Sequence, residues 1–142
     1  MDEGQITIVC KNDHSETERV QQKITQFCDL LGVKGRPLHA FNLAVDEVLT
    51  NIIRHGYGTT GDAPPHEIRI HLRVADDELS ADIEDDAREF DPVKYPRVDC
   101  TKPLEERQPG GLGLHLVRSL IHGIEYRREG GKNILTLRKR VR

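Results

Sequence analysis

Two runs of alternating apolar and polar residues, joined by an Asp-Asp step, constrain the fold of this chain more than any other feature. The apolar members are Ile68, Ile70, Leu72 and Val74 in the first run, and Leu79, Ala81 and Ile83 in the second. Because successive side chains of a strand point to opposite faces, each run predicts a strand with one buried face. With Asp76 and Asp77 as the turn, the pattern predicts an antiparallel hairpin covered on one side by other elements.

The remaining segments supply the other strands and the covering helices. The periodicity predicts a strand over 5–10 and a hairpin of 124–128 with 134–139. It also predicts three helices. The first runs from a Ser15/Glu18 capping box to about residue 31, the second from 37 to 56 or 58, and the third over 114–122. Residues 85–109 are irregular and proline-rich, which is typical of a functional loop. The order predicts one α+β domain over 1–142, a two-layer sandwich of a mixed, mostly antiparallel sheet and three helices.

The composition of the chain argues against two classes of function, nucleic-acid binding and membrane insertion. The 142 residues are 36% hydrophobic and 32% charged, and the formal net charge is −3. A nucleic-acid-binding protein would usually carry a basic excess, and no apolar run approaches the roughly 20 residues that cross a bilayer. Cys10, Cys28 and Cys100 have no metal-ligand spacing, which favours buried or idle thiols. We therefore expect a cytoplasmic protein without a nucleic-acid or membrane partner.

Polar residues on the second predicted helix are the first candidates for chemistry. Glu47, Asn51 and His55 follow one another at intervals of four, which places them on one helical face beside the apolar stripe. An amide oxygen can bind Mg²⁺, and a carboxylate one turn away can polarise a hydroxyl or a water. Taken alone, the same spacing also fits a solvated polar edge of an amphipathic helix.

Two further segments could bind a ligand. Asp85 ends the central predicted strand, where a buried carboxylate could accept a hydrogen bond from an exocyclic amine, although a charged turn would look the same. Gly110-Gly111-Leu112-Gly113 precedes the third predicted helix, where glycines let backbone N–H groups approach phosphate oxygens. This segment is neither a Walker A loop nor the dinucleotide-binding fingerprint. Gly130-Gly131-Lys132-Asn133 fits an ordinary hairpin turn.

The three segments in this order resemble a known family. Phe41 to Tyr57 is similar to the N box of the GHKL ATP-binding fold, Asp85 to Pro92 to its G1 box, and Gly110 to Val117 to its G2 box. Within that fold, which gyrase-type ATPases and histidine kinases share, the chain looks most like the bacterial anti-sigma regulatory factor and serine-protein kinase group (RsbW/SpoIIAB-like). The resemblance covers nearly the whole chain.

The resemblance implies ATP and Mg²⁺ as cofactors and a role for each matched residue. Glu47 would be the general base, Asn51 would bind Mg²⁺, and Asp85 would hold the adenine amine. Gly111 and Gly113 would let the backbone approach the phosphates. The other matched residues expected at the nucleotide are His55, Ala87, Phe90, Arg107, Gly110, Leu112 and Leu114, with Arg107 neutralising phosphate charge.

Ala87 departs from the family's pattern, which has glycine at this position of the G1 box. The extra methyl group lies where the backbone would pass close to the adenine, and a side chain disfavours positive φ. We expect weaker nucleotide binding as the largest consequence.

The resemblance also implies partners. The leading hypothesis is a homodimeric protein-serine/threonine kinase that phosphorylates a STAS-type antagonist (an anti-anti-sigma protein) and thereby regulates a sigma factor or another regulator. The alternative is a nucleotide-sensing protein-binding module without kinase turnover. Glu47 and Asn51 favour the kinase, and Ala87 favours the module.

Overall fold

A five-stranded sheet forms one layer of the computed structural model, which describes residues 4–56, 66–89, 91 and 111–141, with only the backbone for 55, 56 and 111–114. The strands are β1 (Gly4–Lys11), β2 (Glu67–Ala75), β3 (Glu78–Asp85), β4 (Gly123–Glu129) and β5 (Lys132–Arg140). Their order across the sheet is β1-β2-β3-β5-β4. All four pairings are antiparallel, including that of β1 with β2 across the two intervening helices.

Three helices form the second layer, as predicted. They are α1 (Thr17–Leu30), α2 (Arg36–Asn51), which continues into a π-helical turn (Ile52–Gly56), and α3 (Gly111–Leu120). α2 packs against both α1 and α3, and it reaches β5. The predicted α+β sandwich is therefore confirmed.

The start of α1 differs from the predicted capping box. A short 3₁₀ turn (His14–Glu16) precedes the helix, and the side chain of Asp13 caps it by accepting a hydrogen bond from the Ser15 N–H at 3.0 Å. The Glu16 side chain accepts a hydrogen bond from the Lys11 N–H, which joins this turn to the end of β1. An aspartate two residues earlier takes the capping role because its carboxylate is also a preferred N-cap acceptor.

Both hairpin turns adopt the backbone conformation that their residues allow. Asp76 and Asp77 have φ values of 52° and 65°, and Gly130 and Gly131 have 56° and 78°. Two consecutive positive φ values are typical of a type I′ turn, whose twist matches that of the flanking strands. Asp tolerates this left-handed region better than most residues, so the Asp-Asp step closes the central hairpin as predicted.

The core lies between the inner face of the sheet and the helices. Its fully buried side chains include Phe41, Val45 and Leu49 from α2, Ile68, Ile70 and Leu72 from β2, and Leu79, Ile83 and Leu137 from β3 and β5. The alternate residues of β2 are exposed, so the sheet has one covered and one open face. This arrangement accounts for the period-two pattern in the sequence.

The two described cysteines are buried, as predicted. Cys10 is 3% exposed and Cys28 is fully buried, and burial raises the pKa of each thiol to about 11. Thiols with such pKa values are protonated at neutral pH and therefore unreactive. Cys100 lies outside the described residues. Among the described helices, none is long and apolar enough to cross a membrane.

Candidate functional site

The structure places Glu47 and Asn51 on α2, one turn apart and both half-buried, with Asn51 as the last residue of the helix. The following π-helical turn contains His55, whose side chain lies outside the described atoms. The Glu47–Asn51 pair is thus confirmed as a helical pair, and the position of His55 on the same face stays a prediction.

The Asn51 amide is unusual because its Nδ2 atom is buried and has no hydrogen-bond partner among the residues that the structure describes. An unpaired buried donor costs on the order of 1–3 kcal/mol, so such atoms are rare away from functional sites. Rotation of the amide about its Cβ–Cγ axis exchanges nitrogen and oxygen at nearly the same place. Asn51 can therefore present an acceptor to a cation or a donor to a phosphate oxygen at a point where no described residue bonds to it.

Asp85 ends β3 on the covered side of the sheet and is only 4% exposed. Its Oδ1 atom accepts hydrogen bonds from the Ala87 N–H at 3.0 Å and from Asn133 Nδ2 at 2.9 Å. Burial raises the pKa of Asp85, whereas these two hydrogen bonds and the nearby Arg128 oppose the rise. The result is a buried carboxylate whose second oxygen, Oδ2, receives no hydrogen bond from the described residues.

Asn133 connects Asp85 to the hairpin of β4 and β5. Its Nδ2 atom also donates to the Arg88 carbonyl at 2.9 Å, and its Oδ1 atom accepts from Tyr126 and Arg128. The sequence-based interpretation of residues 130–133 as an ordinary turn missed this role. Strand alternation could have revealed the role of Asn133. This residue shares a face of β5 with Leu135 and Leu137, so its amide points toward the core.

Ala87 is buried at 6% exposure in the turn after β3. Its N–H binds Asp85, and its carbonyl accepts from Arg128 at 3.1 Å. Among the described residues other than glycine, only Asp76 and Asp77 have positive φ, so the backbone at Ala87 requires no glycine. The expected conformational penalty at this position is therefore absent.

The glycine-rich segment begins α3 instead of preceding it. α3 starts at Gly111, three residues earlier than predicted, so Gly111 and Gly113 lie in its first turn. The first N–H groups of a helix have no partner within it, and the helix dipole favours anions there. Of the other predicted ligands, Phe90, Arg107 and Gly110 lie outside the described residues, and the side chains of Leu112 and Leu114 are not described.

A cavity of about 340 Å³ is lined mainly by charged side chains, among them Asp85 at its edge with Glu67, Arg69 and Lys132. Glu67 and Arg69 belong to the open face of the sheet. Sites for organic ligands are mostly apolar, so this cavity does not fit a purine base.

Comparison with known proteins identifies the family. The model of the histidine kinase-like ATPase domain matches residues 10–139, which include Glu47, Asn51, Asp85 and the glycines of α3. The chain belongs to the histidine kinase-like ATPase domain family. Membership of this family implies the use of ATP.

Individual relatives of this ATPase domain agree with that assignment. It is 37% identical over 97 residues to the serine/threonine-protein kinase BtrW of Bordetella bronchiseptica, a match that covers 67% of this chain and 65% of that protein. It is 28% identical over 116 residues to the serine-protein kinase RsbW of Halalkalibacterium halodurans, covering 79% and 68% of the two chains. The predicted resemblance to the GHKL fold and its RsbW-like group is confirmed.

The solved structures agree on the fold of the ATPase domain. A crystal structure of the RsbU and RsbW domains of a Mycobacterium tuberculosis protein superposes with a TM-score of 0.66 at 16% identity, covering 97% of this chain and 32% of that one. At this identity the likeness concerns the fold alone.

Proposed function

We propose that this ATPase domain is a protein-serine/threonine kinase of the anti-sigma type, which binds Mg·ATP and phosphorylates a STAS-type antagonist protein. The observation that carries the proposal is the pairing of Glu47 with Asn51 on α2, where the Asn51 amide nitrogen is buried and no described residue bonds to it. The names of the BtrW and RsbW relatives support the kinase reaction.

ATP would lie between α2, the end of β3 and the first turn of α3. Asp85 would accept a hydrogen bond from the adenine amine, and the free N–H groups at the start of α3 would bind the phosphates. Asn51 would hold Mg²⁺ through its Oδ1 atom together with phosphate oxygens, and the ion would neutralise phosphate charge. Phosphate oxygens supply most of the ligands of such a magnesium site, so one amide from the protein suffices.

Glu47 would act on the serine of the partner. Its carboxylate would accept the proton of the serine hydroxyl as the hydroxyl oxygen forms a bond to the γ-phosphorus, while the bond between that phosphorus and the ADP oxygen breaks. Glu47 is half-buried and one turn from Asn51, so it can reach the γ-phosphate side of a nucleotide held at Asn51. The products would be phosphoserine on the partner and ADP.

The biological setting is part of the proposal. By resemblance to the RsbW-like group, the unphosphorylated antagonist would compete with a sigma factor or another regulator for the same surface. The kinase would work in the cytoplasm as a homodimer. The rival hypothesis is a nucleotide-sensing module without turnover. Ala87 occupies a backbone conformation that needs no glycine, which removes one of the two arguments that this residue gave for the module; the closeness of its methyl group to the adenine is the other.

The test is phosphate transfer from γ-labelled Mg·ATP to a purified STAS-domain protein from the same genome. Glu47→Gln should lower the transfer rate by about 10²–10⁴-fold, the range typical of a lost general base, and should leave ADP affinity unchanged. Asp46→Asn is the matched control, because Asp46 is a half-buried carboxylate on the same helix and should be dispensable. Equal transfer by Glu47→Gln and wild type would refute the assigned base. ADP binding with no transfer to any STAS protein would favour the module.

A further inference from the structure

Three polar residues form a row across the covered face of the sheet. Asn133 on β5 lies directly opposite Asp85 on β3 and directly opposite Arg128 on β4. Its amide therefore stands between a carboxylate and a guanidinium. We refer to Asp85, Asn133 and Arg128 as the polar row.

The hydrogen bonds of Asn133 fix the orientation of its amide. Nδ2 donates to Asp85 Oδ1 at 2.9 Å, to the Arg88 carbonyl at 2.9 Å and to the Ala87 carbonyl at 3.4 Å. Oδ1 accepts from Arg128 at 2.9 Å and from the Tyr126 hydroxyl at 2.5 Å. Arginine can only donate and backbone carbonyls can only accept, so a rotated amide would lose these bonds. The amide is therefore held in one orientation.

This arrangement constrains Asp85. Both hydrogen bonds that it receives from described residues go to Oδ1, which holds the carboxylate at a set angle and directs Oδ2 away from Asn133. Arg128 also donates to the Ala87 carbonyl, so the same residue stabilises the turn whose N–H binds Asp85. Burial raises the pKa of Asp85, and the bonds from Asn133 and Ala87 favour the ionised form.

We propose that Asn133, held by Arg128 and Tyr126, is a positioning residue that orients the Asp85 carboxylate and thereby determines selectivity for a purine with an exocyclic amine at C6. The proposal rests on the proposed function, because it assumes that Asp85 meets the base. Asn133 itself touches Asp85 and the turn, and it acts on the nucleotide through them.

Inosine diphosphate separates positioning from general stability. Adenine presents an amine at C6, whereas hypoxanthine presents a carbonyl oxygen at the same place. An ionised carboxylate attracts the first group and repels the second, but only if its free oxygen is aimed at that place. A variant that merely weakens the fold lowers the affinities for ADP and IDP by the same factor. A variant that lets Asp85 rotate changes their ratio.

The experiment is calorimetric titration of wild type, Asn133→Leu and Thr136→Val with ADP and with IDP. Leucine has the same number and branching of side-chain heavy atoms as asparagine, and it removes the amide. Thr136→Val is the matched control, because Thr136 also lies on β5 and donates to a carboxylate of β3, that of Asp82, at 2.6 Å. This pair belongs to the open face of the sheet, three strand positions along β3 and β5 from the Asp85–Asn133 pair, whose side chains lie on the other face.

We expect wild type and Thr136→Val to prefer ADP over IDP by at least about tenfold, and Asn133→Leu to lower this preference to about threefold or less, because a hydrogen bond to a charged group is stronger than one between neutral groups and depends on its aim. If Asn133→Leu does not fold, Asn133→Ser should show the same reduction with a smaller packing change. An unchanged ADP:IDP ratio in a folded Asn133 variant would overturn the positioning role and leave the kinase proposal intact. Absence of ADP binding by wild type would overturn both.

Discussion

The two ends of the proposed nucleotide site are built in different ways. The base end consists of the polar row with the turn at Ala87, and it lies on three neighbouring strands of the sheet. The phosphate end consists of the end of α2, the π-helical turn and the first turn of α3. Of the buried side-chain nitrogen and oxygen atoms described, two have no partner, Asn42 Oδ1 and Asn51 Nδ2, and the second is at the phosphate end.

The difference indicates which end is complete without nucleotide. At the base end, Asn133 meets five hydrogen-bond partners within the protein, and these bonds stabilise the fold whether or not a ligand is present. At the phosphate end, the buried amide nitrogen of Asn51 has no hydrogen-bond partner within the described part of the chain. We infer that the base end is preorganised, while the phosphate end gives up stability that bound nucleotide restores.

The stability of the ligand-free protein gives the largest test of this comparison. Asn133→Leu should lower the free energy of unfolding by about 2–4 kcal/mol, because it leaves buried partners of the amide unsatisfied. Asn51→Leu should leave it unchanged or raise it by about 1 kcal/mol, because it removes an unpaired buried donor. Urea-induced unfolding followed by circular dichroism measures both.

Thr136→Val serves again as the control, since it removes one hydrogen bond of the sheet outside the site. The comparison predicts opposite or clearly unequal effects at the two asparagines. Similar losses of unfolding free energy in Asn51→Leu and Asn133→Leu would show that the Asn51 amide is hydrogen-bonded in the protein as fully as that of Asn133. The phosphate end would then be preorganised too.

The sequence sufficed to predict the sheet, the helices and the Glu47–Asn51 pair, because these follow from periodicity. Alternation defined β2 and β3, and the interval of four placed Glu47 and Asn51 on one helix. Each of these features depends on residues that are close together in the sequence, within one or two helical turns or one or two strands. The assignment to the ATPase family could likewise be made from three ordered segments, since the family model spans 10–139.

The polar row could not be predicted in the same way. Asp85 and Asn133 are 48 positions apart, and their contact depends on the strand order, in which β5 lies between β3 and β4. A chain with the same alternation could have paired β4 with β3 instead. The start of α3 was also misplaced, because glycine is a poor helix former and its propensity argued for a loop at Gly111 and Gly113. In the fold, α3 packs against α2, and such tertiary contacts outweigh propensity.

The charge of Asp85 provides a smaller test of the base end. Burial raises the pKa of Asp85. As the pH falls, Asp85 therefore takes up its proton earlier, at a higher pH, than an ordinary aspartate with a pKa of about 3.9. A protonated Asp85 no longer offers an ionised acceptor to the adenine amine. ADP affinity should therefore fall as the pH decreases through the raised pKa, by at most about tenfold per pH unit for a single proton. IDP affinity should not fall in this way.

The same raised pKa has the opposite effect on the ligand-free protein. The folded state binds the proton of Asp85 more tightly than the unfolded state does, so protonation contributes stability that is fully present below the unfolded pKa and is lost as the pH rises through the folded pKa. The stability difference between wild type and Asp85→Asn should therefore become less favourable to wild type as the pH rises. A difference that is independent of pH would show that the polar row fully offsets the burial of the carboxylate.

The smallest expected effect concerns Ala87. If the base end is preorganised through the backbone of this turn, a glycine at position 87 should not raise the affinity for ADP. The position has no positive φ, and its N–H and carbonyl already form hydrogen bonds. Ala87→Gly should instead lower the free energy of unfolding by about 0.5–1 kcal/mol, through the greater freedom of the unfolded chain. ADP affinity should stay within about twofold of wild type. A severalfold gain in ADP affinity would show that the methyl group obstructs the base, and would return support to the nucleotide-sensing module as the function of this chain.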